Sequence, residues 1–183
     1  MSAEKGVPLL VLGLGNVLCG DDGLGAVAVH LLQWRYICPD GVQVLDGGTL
    51  GLSLLPYLEQ AREAILVDAI RADGPSGSFV RLEGDDVAPA MAARLSVHQV
   101  GVVDLLDAAR WRGCSPSRLI LLGLVPESLE LGVRRTAAVE AALPDLVDRI
   151  VAEARGLGHV FLPRTADEMA SRGPSDPAHV YGL

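Results

Sequence analysis

The first strand-to-helix junction constrains the fold of this chain more than any other feature. Residues 7–13 are an unbroken apolar run, which is typical of a strand buried on both faces. The loop LGLGNVLCGDDGLG at residues 12–25 follows at once, and apolar residues then recur at helical spacing over residues 24–32. A buried strand that passes through a short glycine loop into a helix is the opening unit of a parallel α/β sheet.

The same alternation continues along the chain. The segments that predict further strands are residues 42–45, 64–67, 78–82 and 119–122. The segments that predict further helices are residues 52–58, 96–111 and 137–154, the last with a break or kink at Pro144. Residues 78–82 are the candidate for an antiparallel edge strand. The pattern predicts a three-layer α/β fold, with a twisted, mainly parallel sheet of about five strands and helices on both faces.

The 183 residues predict one α/β domain over residues 1–157, since single cores commonly reach this size. Residues 158–183 are rich in proline and glycine, including Pro163, Gly173 and Pro174. Such a composition predicts a tail that holds no regular element and is either loosely attached or covers an edge.

Charge and cysteine content exclude several classes of function. A formal net charge of −8 disfavours binding to nucleic acid and to anionic membranes. Three cysteines without a CxxC pair, Cys19, Cys38 and Cys114, indicate reduced thiols and a cytoplasmic location. No apolar run reaches the roughly 18 residues of a membrane span.

The glycine loop is acidic where a nucleotide would need its phosphates to sit. Gly13 and Gly15 fit the start of a dinucleotide fingerprint, but Leu18 occupies the third glycine position. Asp21 and Asp22 would repel phosphate at the start of the helix, so the loop predicts no nucleotide cofactor. One aspartate is expected to cap the helix, which leaves the other to face a cation or a positively polarised group.

Two further residues are expected to converge with Asp22. Asp68 ends the third predicted strand, and loops at the carboxyl ends of such strands meet in one crevice. His98 lies in a Ser-Val-His-Gln capping box that opens a helix, where the helix dipole favours the neutral, metal-binding imidazole. Two carboxylates and one imidazole suit a divalent transition metal with open coordination positions.

Asp46 is a fourth candidate at this edge, although Asp-Gly-Gly is also a common turn. The remaining histidines, His30, His159 and His179, lie on a helix or in the tail and are interpreted as bystanders. Ser53 does not match the nucleophile elbow of covalent hydrolases.

Five segments together resemble the [NiFe]-hydrogenase maturation proteases, colinearly over residues 8–150. The segments are GLGNVLCGDDGLG, VLDGGTLGLSLL, AILVDAI, SVHQVGVVDLL and GLVPESLELG. The resemblance implies a phosphorylase/hydrolase-like α/β fold and an endopeptidase that removes a C-terminal extension from a nickel-loaded hydrogenase large-subunit precursor.

The resemblance also implies that Asp22, Asp68 and His98 are the nickel-binding and catalytic residues, with nickel supplied by the precursor. Asp46 is expected to support the site or contact substrate. Two alternatives stay open: a nickel checkpoint or chaperone that binds the immature subunit without cutting it, and a nucleotide-dependent enzyme. The particular hydrogenase, the cleavage site, the role of the tail and the oligomeric state are left open by the sequence.

Overall fold

The computed structural model describes residues 6–92 and 97–172. The strands are β1 (Val7–Leu14), β2 (Tyr36–Ile37), β3 (Val42–Gly48), β4 (Ala61–Ala69), β5 (Phe79–Glu83), β6 (Arg118–Leu124) and β7 (Leu162–Pro163). The α-helices are α1 (Leu24–Arg35), α2 (Leu55–Gln60), α3 (Val87–Ala92), α4 (Val97–Trp111), α5 (Ala137–Gly156) and α6 (Ala166–Ser171). Short 3₁₀ turns at Gly20–Gly23, Gly51–Leu54 and Gly84–Asp86 lead into α1, α2 and α3.

The main sheet has five strands in the order β3-β1-β4-β6-β5. β3, β1, β4 and β6 are parallel, and β5 pairs with β6 in the antiparallel direction at the edge. This arrangement confirms the predicted α/β class and the predicted antiparallel edge strand. The central strands are apolar on both faces because helices cover both faces.

Alternate residues of each strand enter two separate hydrophobic cores. On one face, residues such as Val11 and Ile65 pack with α1 and α5. On the other face, residues such as Leu12 and Leu66 pack with α2, α3 and α4. The period of two along the strands therefore distributes one aliphatic sequence between two layers.

Close packing of α1 against the sheet depends on Gly25. A Cβ atom at this position would lie 2.1 Å from the carbonyl oxygen of Val67 and 2.4 Å from that of Leu14. The helix can therefore approach the ends of β1 and β4 only because residue 25 has no side chain. This contact fixes the glycine loop above both strand ends.

The structure corrects two expectations. α5 is continuous from Ala137 to Gly156, so of the break or kink expected at Pro144 the break does not occur, and apolar residues on both sides of the proline lie in the core. The tail does hold regular elements: β7 pairs with β2, and α6 begins at a capping box formed by Thr165 and Glu168. That expectation was wrong because local pairing and capping outweighed the composition.

The capping box predicted at Ser96 lies outside the described residues, as does the rest of the tail after Arg172. Among the helices that the structure describes, none is both long and apolar enough to cross a membrane.

Candidate active site

The carboxyl ends of β1 and β4 form the topological switch point of the sheet, where the connections of neighbouring strands run to opposite faces. β1 leads into α1 on one face, whereas β4 leads toward α3 and α4 on the other face. In open α/β sheets, a ligand crevice forms where neighbouring strands send their connections to opposite faces. Asp22 follows β1, and Asp68 lies near the end of β4, which pairs directly with β1. The fold thus brings both predicted acids to neighbouring strand ends.

The glycine loop fixes Asp22 through a close approach between the backbones of Gly15 and Asp22. Gly15 has φ +116°, and a Cβ atom there would lie only 1.8 Å from the carbonyl oxygen of Asp22. The Asn16 amide donates to Asp22 Oδ2 at 3.0 Å, and the Asn16 side chain in turn accepts from the Leu18 amide at 3.0 Å. Asp22 is 1% exposed. Its carboxylate is therefore held inside the loop by backbone geometry that requires glycine at position 15.

Asp68 is fully buried at the end of β4. The Ala69 amide donates to its Oδ1 atom at 2.6 Å, and the residue stands in register with Gly123 of β6. A buried carboxylate needs hydrogen bonds or a cation to offset its lost hydration. Asp22, which follows the neighbouring strand β1, is also buried, so a cation that enters this part of the crevice would offset the lost hydration of both acids.

Asp21 does not cap a helix with its side chain, and neither does Asp22, so that expectation was wrong. The chain enters α1 through the 3₁₀ turn Gly20–Gly23, which points Asp21 instead toward the segment that follows β6. There it accepts hydrogen bonds from residues 127, 128 and 136. Sequence analysis missed this role because the partners lie more than 100 positions away along the chain.

His98 belongs to the first turn of α4, and its side chain lies outside what the structure describes. The helix backbone is well placed by a close contact one turn further on. A Cβ atom at Gly101 would lie 3.1 Å from the Cα atom of Gly51, which follows β3. The start of α4 therefore lies beside a loop from the same carboxyl edge that carries Asp22 and Asp68.

Asp46 lies near the end of β3, in register with Gly13 of β1. Its Oδ1 atom accepts from the Gly48 amide at 3.0 Å, and its Oδ2 atom lies 3.2 Å from His30 Nε2. Interpreting His30 as a bystander was therefore wrong in one respect, since it contacts a candidate site residue. The sequence pattern did not show this contact, because it depends on how α1 packs against the end of β3.

The described side chains alone do not assemble a metal site. Within that part of the chain, no group of three or more His, Cys, Asp and Glu residues is arranged to hold a metal ion. The side chain of His98 lies outside the described residues. The two buried carboxylates of Asp22 and Asp68 are oxygen donors of a kind that a divalent transition metal accepts. The arrangement suits an ion that brings other ligands with it.

Known proteins are similar to this chain over most of its length. The sequence model of the hydrogenase maturation protease family (HycI) matches residues 27–153. The hydrogenase 2 maturation protease of Escherichia coli strain K12 is 38% identical over 160 residues, covering 86% of this chain and 97% of its own. HupD of Rhodobacter capsulatus, a hydrogenase expression/formation protein, is 39% identical over 160 residues, covering 86% of this chain and 76% of its own.

Among solved structures, the hydrogenase maturating endopeptidase HybD from E. coli superimposes with a TM-score of 0.82 at 36% sequence identity. The superposition covers 86% of this chain and 98% of HybD. The likeness to HybD therefore extends over most of this chain.

Proposed function

Because this chain belongs to the hydrogenase maturation protease family, we propose that it removes the C-terminal extension from a nickel-loaded precursor of a [NiFe]-hydrogenase large subunit. One observation carries the proposal: two carboxylates, Asp22 and Asp68, are buried at the neighbouring ends of β1 and β4, which form the topological switch point of the sheet. Buried acids at such a crevice are suited to recognising a cation. The cation in this proposal is the nickel of the substrate.

The roles of the site residues follow from their positions. Asp22 and Asp68 supply oxygen ligands to the incoming nickel, and His98 supplies a nitrogen ligand from the start of α4. Nickel bound in this way anchors the precursor and polarises the scissile carbonyl or an attacking water. Three protein ligands leave coordination positions for the groups that the precursor already provides. Specificity for loaded precursor then arises because an empty precursor offers the acids no cation.

Asp46 has a supporting role in this proposal. Its hydrogen bond with Gly48 shapes the turn after β3, and its contact with His30 ties that turn to α1. Through the Gly51–Gly101 contact, the same loop also sets the position of α4 and hence of the His98 backbone. We place the reaction in the cytoplasm, with the α/β unit of residues 1–157 as the catalytic part.

The test is to incubate the purified protein with hydrogenase large-subunit precursor, prepared with and without nickel, and to weigh the products by mass spectrometry. The expected result is a mass loss at the carboxyl terminus of the loaded precursor and none for the empty one. A complex with loaded precursor that forms without any mass loss would instead identify a nickel checkpoint. Equal cleavage of both precursors would refute recognition through nickel.

A further inference from the structure

The segment of residues 127–136 lies directly beside the glycine loop that carries Asp22. The Gly20 amide donates to the Gly132 carbonyl at 2.6 Å, and the Gly132 amide donates to the Leu18 carbonyl at 2.8 Å. These bonds form a parallel bridge between Cys19 and Gly132. The segment is thus joined to the site through the main chain, independently of its side chains.

The carboxylate of Asp21 accepts hydrogen bonds from both ends of this segment. Its Oδ2 atom accepts from the amides of Glu127 at 2.9 Å and Ser128 at 3.2 Å. Its Oδ1 atom accepts from the Thr136 amide at 2.7 Å, and Oδ2 also accepts from the Thr136 hydroxyl at 2.8 Å. The four hydrogen bonds satisfy a side chain with 0% exposure, which a buried polar group requires.

Between these anchored ends, the segment turns apolar side chains toward solvent. Leu131 is 88% exposed, and Leu129 and Val133 are 37% and 39% exposed. Leu18, across the bridge from the segment, is 48% exposed. Apolar side chains grouped in solvent beside a site are typical of a surface that binds another chain.

We propose that Asp21 is a positioning residue: it holds residues 127–136 against the glycine loop as a preformed wall that contacts the precursor beside Asp22. The occupant is the peptide chain of the precursor, because the wall is joined by main-chain hydrogen bonds to the loop that carries Asp22. Fixing the wall in advance lowers the entropy that must be lost when the precursor binds. This inference rests on the proposed function.

The decisive variant removes one hydrogen bond and leaves Asp21 in place. Thr136→Val deletes the hydroxyl that donates to Asp21 while keeping the amide and the β-branched shape, and Thr136→Ser keeps the hydroxyl. Thr165→Val is the matched control, because Thr165 also donates its hydroxyl to a carboxylate, that of Glu168, but in the tail. Asp21→Asn is the stronger variant of the same contact.

Steady-state cleavage of nickel-loaded precursor then distinguishes positioning from folding. For Thr136→Val we expect KM to rise about tenfold with kcat nearly unchanged, because a loosened wall weakens binding of substrate and transition state equally. Thr136→Ser and Thr165→Val should keep the wild-type KM, and Asp21→Asn should raise KM at least as much as Thr136→Val. A merely structural role would lower the folded fraction, which reduces the maximal rate and leaves KM unchanged.

The inference is overturned if Thr136→Val keeps the wild-type KM, loses only maximal rate, or is matched by Thr136→Ser or Thr165→Val. Failure of the proposed function gives a different result, because wild-type protein would then leave the loaded precursor at full mass.

Discussion

The acidic residues at the two ends of the sheet differ in burial and in the groups that they contact. At the carboxyl end, Asp21, Asp22 and Asp68 are at most 1% exposed and accept hydrogen bonds from backbone amides. At the amino end, Glu83 lies at the surface in contact with the guanidinium groups of Arg81 and Arg118. Acids that face arginines in water add little to stability and nothing to recognition of a further cation. Charge–charge attraction is stronger in a buried, low-dielectric site than in water, so the buried acids are better placed to bind a cation that enters the crevice.

A cavity at the amino end of the sheet lies away from the proposed site. A cavity of about 250 Å³ opens at the amino end, where it is lined by Leu58, Leu119 and the paired groups of Glu83 and Arg118. The carboxyl end instead offers buried carboxylates and a rim of exposed leucines. Exposed apolar side chains beside buried polar groups suit contact with a partner chain, as in the function proposed above.

The strongest test of this comparison uses two acids on the same strand. We expect Asp68→Asn to lower cleavage of nickel-loaded precursor by at least about 100-fold, because it removes the charge of a proposed nickel ligand. Glu63→Gln, five positions earlier on β4, should keep wild-type cleavage. Rates are measured by mass spectrometry, and circular dichroism confirms that both variants fold. Wild-type cleavage by Asp68→Asn would remove this residue from the mechanism.

A smaller effect is expected at the turn after β3. Asp46→Asn should slow cleavage about tenfold, because an amide in place of Oδ2 weakens the contact with His30 while the turn with Gly48 is retained. Asp40→Asn, at the opposite end of β3, serves as the control. Complete loss of cleavage in Asp46→Asn would show a direct catalytic role, and equal rates in both variants would exclude even a supporting one.

Two equally exposed apolar residues, one at each end of the sheet, test which end binds the precursor. Leu131 and Trp111 are 88% and 87% exposed, but Leu131 lies beside the glycine loop and Trp111 ends α4 at the other edge. We expect Leu131→Ser to raise KM about fivefold and Trp111→Ser to leave it unchanged. Neither change alters the core. A larger rise in KM for Trp111→Ser than for Leu131→Ser would place the precursor at the amino end of the sheet and contradict the proposed binding site.

The fold was predictable because its signals are local. The apolar run of β1, the helical spacing of α1 and the short strands predicted the layers and the antiparallel edge without any tertiary information. Asp68 was placed at the correct edge for the same reason, since a residue that ends a parallel strand has only one edge to occupy.

The contacts of the site were less predictable because they join distant parts of the chain. Asp21 looks like a helix cap from its neighbours, but its partners, Glu127, Ser128 and Thr136, come more than 100 residues later. The pairing of His30 with Asp46 depends on how α1 packs on the sheet. A pattern of residue types records which groups are present, whereas the hydrogen-bond partners follow from packing.

The smallest expected effect concerns the amino end. The arginines Arg81 and Arg118 hold the pKa of Glu83 below its usual value, Arg81 contributing most. A carboxyl group whose pKa is lowered by folding stabilises the protein above its unfolded pKa of about 4.3, and this stabilisation is lost as the pH falls through the lowered value. We therefore expect Glu83→Gln to reduce the free energy of unfolding at pH 7 by less than about 1 kcal/mol.

Urea denaturation of wild type and Glu83→Gln at neutral and at strongly acidic pH measures this difference, which should vanish in acid because Glu83 is then protonated in both folded and unfolded chains. Cleavage at neutral pH should be unchanged, because the ion pairs of Glu83 lie at the far end of the sheet from Asp22 and Asp68. A stability difference that persists in acid would assign the effect to packing. Impaired cleavage by a folded Glu83→Gln variant would contradict the interpretation that only the carboxyl end of the sheet takes part in the reaction.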